Sequence, residues 1–511
     1  MYRNLKLKDM SIEESVRNQM LKNQYESLIQ QMIMDDIPWM TPELRKKIED
    51  APVEKQREMI ISIMEENNAE HRLMFSEIRK MMSNPDRSEM THIKEVVQML
   101  RKYVKVSEVE LTKYGEVMTP IWLVEEMLDT LNGTSVWSNP NLKWLDPCNG
   151  VGPFVSVIVE RLMKGLQDWE PDNEKRYKHI MEKMIYVCEL QAKNMFLYLY
   201  AFDPEDKYCL NIYHGSYLDK GFNEYFKSFG ITKFDNITMN PPYNQHKDGN
   251  KKSSTIWDKF VNKSINDLNE GGYLVSVNPS GWRSVGNGFL SVGDLLRSKQ
   301  ILYLESHNVD DGVKTFGVST HYDFYCLHNV SVRQNTIIKC MDNTTQRIDI
   351  SKMKFIPNGM YKEFQMLFPK DNEKTIKVIY DRMAYDHKKT IISKIQSEKY
   401  KYPIVYVTYA DGSMRLIYSV TNELGHFGIP KIICSYGAGS TPFIDKKGEY
   451  GMSEYAFAIV DDVNKLPYIQ KALLNPEFLK LMSFVDGNGG RQRYNRNAIA
   501  LFRKDFWMDF I

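Results

Sequence analysis

The stretch FDNITMNPPYNQ closes a short apolar run with Asn240, Pro241, Pro242 and Tyr243. Two successive prolines fix their own φ at about −65° and remove two backbone donors, so the chain must leave the strand in one stiff, extended conformation. A corner of this kind holds the amide oxygen of Asn240 and the ring of Tyr243 at the carboxyl end of a strand. That end is where open α/β sheets build their sites.

A second segment, WLDPCNGVGPFVSVIVERLM, reads as a strand, a glycine-containing turn and a helix. Asp146 closes the strand, Pro147 follows it, and Gly150 and Gly152 let backbone approach a ligand closely. Phe154 opens the helix with an apolar face beside the turn, and the positive end of that helix suits a carboxylate or a phosphate. The turn lacks the third glycine of the dinucleotide fingerprint, and a tight βα turn without ligand is the competing reading. Further along, MIYVCELQAKNM ends a second strand in Glu189, where an acidic side chain accepts hydrogen bonds from ribose hydroxyls in dinucleotide folds. A solvated helix-start glutamate is its alternative.

These residues need a scaffold to position them. The 511-residue chain is too long for a single core and suggests roughly two to four domains. Residues 1–107 are almost free of glycine and carry apolar residues at helical spacing, punctuated by Pro38, Pro42, Pro52 and Pro85. Packing or a homodimer contact is their expected role, a DNA clamp the alternative. From 108 to 335, short apolar runs alternate with helical patterns, which argues for an α/β, doubly wound and mostly parallel sheet. Residues 336–511 read as a separate α+β unit with tyrosine-rich strands, a glycine-rich turn (CSYGAGSTPFID) and a final helical stretch.

Composition narrows the function classes. Net charge is +1, from 67 basic against 66 acidic residues, so any surface for a polyanion must be local. The six cysteines are scattered, with no C-x-x-C pair, so neither a disulfide framework nor a metal site is expected, and a reducing compartment fits. No segment approaches the apolar span of about 20 residues needed to cross a bilayer, and no signal peptide is evident, so a cytoplasmic protein without membrane contact is expected.

Taken in order, KYGEVMTPIWLVEEML, the D-P-x-x-G-x-G turn and N-P-P-Y resemble the gamma class of S-adenosylmethionine-dependent amino-methyltransferases of DNA. The resemblance covers about 108 to 335, with Gly115, Glu116, Thr119 and Pro120 matching the lead-in segment. It implies a Rossmann-like seven-stranded core with S-adenosylmethionine held by Thr119, Pro120, Asp146, Pro147, Gly150, Gly152, Phe154, Glu189, Ser216 and Asn240. It also implies that Asn240 and the carbonyl of Pro241 accept hydrogen bonds from the target amino group, with Pro242 stiffening the corner. Tyr243 would stack on a flipped base. Phe316, in GVKTFGVSTHYDFYCLHN, is similar to a second stacking ring that precedes the seventh strand, with Phe324 and Tyr325 as competitors that alternation marks as core. Relatives often carry an aspartate where this chain has Ser216; Asp219 is the substitute from the same turn. Pro279 and Trp282, at the end of another strand, are candidates for the site or for loop packing.

The resemblance implies adenine N6 in double-stranded DNA as substrate, because the motif begins with Asn where cytosine-N4 enzymes commonly carry Ser. Cytosine N4, RNA, a protein glutamine and a catalytically silent DNA-binding module are the alternatives. It admits a separate restriction endonuclease as partner; no fused nuclease motif is found. In that class the DNA-reading domain lies on the carboxyl side, where Arg491, Arg493, Tyr494 and Arg496 follow the Gly487–Gly490 turn as candidate phosphate and base-edge contacts, or as a solvated basic turn. The YGAGSTPF turn is open to the same two readings.

Overall fold

The computed structural model describes residues 41–82, 89–103, 117–205, 207–246, 253–284, 289–340, 343–437, 439–485 and 493–511. Gly115, Glu116, Arg491, the Gly487–Gly490 turn, Pro38 and Pro85 lie outside the described residues.

The centre is a nine-stranded sheet. Its strands are β1 (Trp144–Asp146), β2 (Ile185–Glu189), β3 (Asn211–His214), β4 (Phe234–Met239), β5 (Leu268–Pro279), β6 (Lys299–His307), β7 (Tyr322–Ser331), β8 (Thr336–Lys339) and β9 (Thr345–Ile348). They lie in the order β9-β8-β6-β7-β5-β4-β1-β2-β3. Strands β3, β2, β1, β4 and β5 run parallel, and β7 enters antiparallel between β5 and β6. Seven strands thus have the order of the methyltransferase-type doubly wound fold. The sheet does not stop at residue 335: β8 joins β6 in parallel and β9 pairs back on β8.

The central strands β1, β2 and β4 bury both faces, as a parallel sheet covered by helices requires, whereas the edge strand β9 stays partly exposed. Alternation along β7 sends Phe324 and Cys326 into one hydrophobic cluster and Tyr325 and Leu327 into the other, so both competing rings are core residues. Trp282 is likewise buried, its ring edge-on to Tyr325.

The helices before the sheet are α1 (Pro42–Glu49), α2 (Val53–Asn67), α3 (Ala69–Met82) and α4 (Glu89–Tyr103). Pro42 opens α1, where its missing amide costs nothing, and Pro52 precedes α2. Their apolar stripes share one cluster with α5 (Ile121–Asp129), α6 (Pro153–Gly165) and α7 (Ala192–Phe202), which cover one face of the sheet. The Arg57 guanidinium fastens the contact by donating to the carbonyls of Leu199 and Asp203, 3.1 Å each, at the end of α7.

The carboxyl-terminal part holds two four-stranded sheets, one built on Lys431–Ser435 and Ala456–Val460, the other on the Tyr402–Thr408 and Met414–Ser419 hairpin. Helices Leu466–Leu474 and Pro476–Ser483 contribute to a third cluster with Phe457, Phe502 and Phe506. Arg283, just after β5, ties this part to the sheet: its Nε meets Asp323 at 2.7 Å and its Nη1 meets the side-chain oxygen of Asn358 at 2.7 Å. Among the described residues no helix is long and apolar enough to cross a membrane.

Candidate functional site

The chain reverses its direction of winding between β1 and β4, neighbours in the sheet but not in sequence. Ligand sites of open α/β sheets sit outside the carboxyl ends of strands at such a switch point. A cleft partly open to solvent lies there. The turn after β1 and the Asn240–Tyr243 corner after β4 both line it, as do Thr119, Glu189 and Ser216.

The turn is built from its own sequence. The Asp146 carboxylate accepts the Cys148 amide at 3.2 Å, and the Gly152 amide reaches the Asn149 carbonyl at 2.9 Å. Gly150 and Gly152 both take positive φ, 55° and 93°. They differ in surroundings. Gly150 faces open space, whereas a Cβ on Gly152 would meet Phe202 at 2.6 Å and Tyr198 at 3.0 Å. Gly152, expected to admit a ligand, does not line the cleft; its missing side chain makes room for two rings of α7. Pro153 and Phe154 start α6 at the cleft wall, and no side chain caps that helix end.

Glu189 closes β2 and spans the turn. One carboxylate oxygen accepts the Gly150 amide and the other the Gln191 amide, each at 2.8 Å. Asp146 lies beneath the cleft rather than on its wall: it is buried, one of its oxygens has no hydrogen-bond partner, and burial raises its carboxyl to about 8. The turn and the corner touch directly, since the Cys148 thiol donates to the Asn240 carbonyl at 3.3 Å.

Asn240 is held from the other side by the lead-in segment. Its Nδ2 donates to the Val117 carbonyl at 3.3 Å and to Thr119 Oγ1 at 3.1 Å. Because Val117 offers only an acceptor there, the amide nitrogen must face it and Oδ1 must face away. That Oδ1 is buried and has no partner. Tyr243 keeps its ring on the cleft wall with its hydroxyl also buried and unpaired, and burial pushes that hydroxyl's pKa well up.

Other expected residues fall elsewhere. Pro120 precedes α5 without lining the cleft, although its neighbour Thr119 does. Phe316 is the last residue of helix Val309–Phe316, its ring edge-on to Tyr322 at 4.9 Å, outside the cleft. Asp219 precedes helix Lys220–Lys227 and borders a different depression, whereas Ser216 lines the cleft and accepts the Leu218 amide. Tyr494 is a correction: expected on a nucleic-acid surface, it is fully buried and donates its hydroxyl to the Leu473 carbonyl at 3.1 Å. It sits just before helix Arg496–Ile499, where its ring fills the third cluster. Arg493 and Arg496 are half-buried. Arg493 donates to the Ser440 carbonyl at 3.0 Å, and the Arg496 guanidinium lies 3.6 Å over the Tyr380 ring and contacts the Tyr436 hydroxyl. Arg493 and Arg496 therefore pack against Ser440 and Tyr436 of the YGAGSTPF turn.

Sequence reasoning missed Arg101, Cys148, Asn149, Gln191 and Asn194, all on the cleft wall. Cys148 and Asn149 were legible as members of the turn. Nothing in the pattern of α4 distinguishes Arg101 from its other basic residues. Among the described residues, the one group of His and carboxylates close enough to share an ion is Asp386, His387 and Glu454, none of which lines the cleft.

Strand order and site position define a methyltransferase-type α/β protein. Residues 87–273 match the family model described as N-6 DNA Methylase. A curated relative from Mycoplasma pneumoniae, described as an uncharacterized adenine-specific methylase, is 31% identical, the match covering 36% of this chain and 60% of the relative. Two solved structures are among those that match. The type IIL restriction-modification enzyme MmeI, in complex with DNA, has a TM-score of 0.47 at 12% identity, covering 80% of this chain and 70% of that one. A DrdV–DNA complex has a TM-score of 0.47 at 10% identity, covering 96% and 69%.

Proposed function

We propose that the protein transfers a methyl group from S-adenosylmethionine to the N6 amino group of adenine in double-stranded DNA. The observation that carries this reading is Asn240 Oδ1, a buried acceptor without a partner, on the wall of the same cleft as Gly150 and Glu189. A buried acceptor left unpaired costs about 1–3 kcal/mol, which an incoming amino donor would remove. The match of residues 87–273 to the N-6 DNA methylase family supports the same substrate class.

The residues fit the cofactor. Gly150 leaves open space at the turn, and Asn149 Oδ1 is a second buried acceptor without a partner. Ser216 offers a hydroxyl from the turn after β3. When bound, S-adenosylmethionine supplies an electrophilic methyl group on a sulfonium. Asn240 Oδ1 and the Pro241 carbonyl each accept one N–H of the target amine, which turns its lone pair out of conjugation with the ring. The Pro241–Pro242 corner fixes both acceptors in advance, so their orientation costs nothing at the moment of reaction. Tyr243 offers its ring as a stacking face. A base paired inside a duplex cannot enter this recess, so the adenine must be flipped out of the stack.

The carboxyl-terminal part is the proposed DNA reader, with Arg493 and Arg496 bracing the surface that the YGAGSTPF turn presents. Sequencing DNA from cells expressing the protein, with modified-base detection, tests the whole reading: N6-methyladenine at a fixed position in a defined motif is expected. Modified cytosine, or DNA without modification, overturns the adenine assignment.

A further inference from the structure

Arg101 belongs to α4, in the helical region that precedes the sheet, yet it lines the cleft. Its Nη2 donates to the Met118 carbonyl at 3.2 Å. Val117 and Thr119, on either side of Met118, bond to Asn240 instead. One three-residue segment is thus gripped by Asn240 through its first and third residues and by Arg101 through its second.

Part of the guanidinium is left unsatisfied. Nε is buried without a hydrogen-bond partner, and burial with no offsetting carboxylate lowers the Arg101 pKa from its ordinary value. Among the described residues Arg101 is the one Lys or Arg on the cleft wall. A cation in that position is costly unless an anion joins it. The cleft's own carboxylate, Glu189, is engaged with two turn amides. Asn149, 1% exposed, adds an unpartnered oxygen to the same cleft, an acceptor for an ammonium group. Guanidinium and free acceptor together complement a zwitterion, and the burial of Nε favours a small enclosed anion over a phosphate on a duplex surface.

We propose that Arg101 pairs with the α-carboxylate of S-adenosylmethionine, so that the helical region before the sheet completes the cofactor site. This rests on the function proposed above, and the test separates the two. Equilibrium binding is measured for S-adenosylmethionine and for 5′-methylthioadenosine, which keeps the nucleoside and lacks the amino-acid end, together with binding of a DNA duplex. The proteins compared are wild type, Arg101→Gln, Arg101→Ala and Arg101→Lys.

Wild type is expected to bind both small molecules. Arg101→Gln and Arg101→Ala are expected to lose tenfold or more in affinity for S-adenosylmethionine, to bind 5′-methylthioadenosine and DNA within twofold of wild type, and to be partly rescued in Arg101→Lys. Unchanged binding of S-adenosylmethionine overturns the inference. Equal loss for both small molecules, without rescue by lysine, also overturns it and reduces Arg101 to a prop for Met118. A loss confined to DNA assigns the guanidinium to a phosphate and overturns it too. A wild-type protein that binds neither small molecule defeats the proposed function itself. Binding of 5′-methylthioadenosine also reports that each variant has folded.

Discussion

The Asn240 side-chain nitrogen donates to Thr119 Oγ1 at 3.1 Å, across 121 residues of sequence. That bond and its companion to the Val117 carbonyl leave the amide only one orientation, with Oδ1 turned away from Val117 and without a partner. Thr119 is therefore a positioning residue for the acceptor. Thr119→Val removes one of two anchors at nearly constant shape and is expected to lower turnover about tenfold, the equivalent of ~1.4 kcal/mol, while DNA affinity stays within twofold. Thr119→Ser keeps the hydroxyl and should retain most activity. Equal turnover in the valine and serine variants would contradict this role.

The two glycines of the turn make opposite demands. Gly150→Ala adds a methyl group where nothing lies within 4 Å, at a φ of 55°, so its stability cost should be about 1–2 kcal/mol and its main effect weaker cofactor binding. Gly152→Ala drives a methyl group into Phe202 and Tyr198 and should cost at least ~2 kcal/mol more. Denaturant unfolding and cofactor titration of both variants check the contrast; an equal stability loss would remove the packing role of Gly152.

Asp146 should make folding pH-dependent. Burial raises its carboxyl to about 8 from the ordinary 3.8, opposed by the bond from the Cys148 amide and assisted by the charge of Glu189. Between those values the folded chain keeps a proton that the unfolded chain has released. Its contribution is thus fully present at pH below 3.8 and is lost as pH rises through about 8. Asp146→Asn carries no such proton, so unfolding free energy should fall more steeply across this window in wild type than in the variant. Parallel curves would show that Asp146 titrates normally.

Arg283 is a joint between the two halves of the molecule. It is 4% exposed and pairs with fully buried Asp323 while donating to Asn358. Arg283→Met strands the aspartate in the interior and is expected to cost ~3–5 kcal/mol, whereas Arg283→Met with Asp323→Leu should recover much of that loss. Thermal unfolding of the single and double variants decides; a double variant no better than the single would contradict the pairing argument.

Strands β1 to β7 were legible as short apolar runs, most of them bounded by Gly, Pro or Asn, and the β7 alternation correctly marked Phe324 and Tyr325 as core. The turn and corner were legible as local motifs, since glycine and proline act on the backbone at their own positions. Tyr494 was misplaced because proximity to arginines in sequence does not say which side of a helix start faces the interior. Arg101 was invisible for the complementary reason: a long-range contact to Met118 leaves no local signature. The extension of the sheet by β8 and β9 was missed because four-residue strands carry little periodicity.

The central claim is that Asn240 Oδ1 receives the target amino group. Its most direct test is transfer of a labelled methyl group from S-adenosylmethionine into duplex DNA by wild type and Asn240→Ala, with cofactor affinity measured in parallel. Wild type should place the label in N6-methyladenine, and the variant should lose transfer by at least a thousandfold, about 4 kcal/mol, while binding the cofactor within tenfold of wild type. Transfer by Asn240→Ala at a rate near that of wild type would contradict the account.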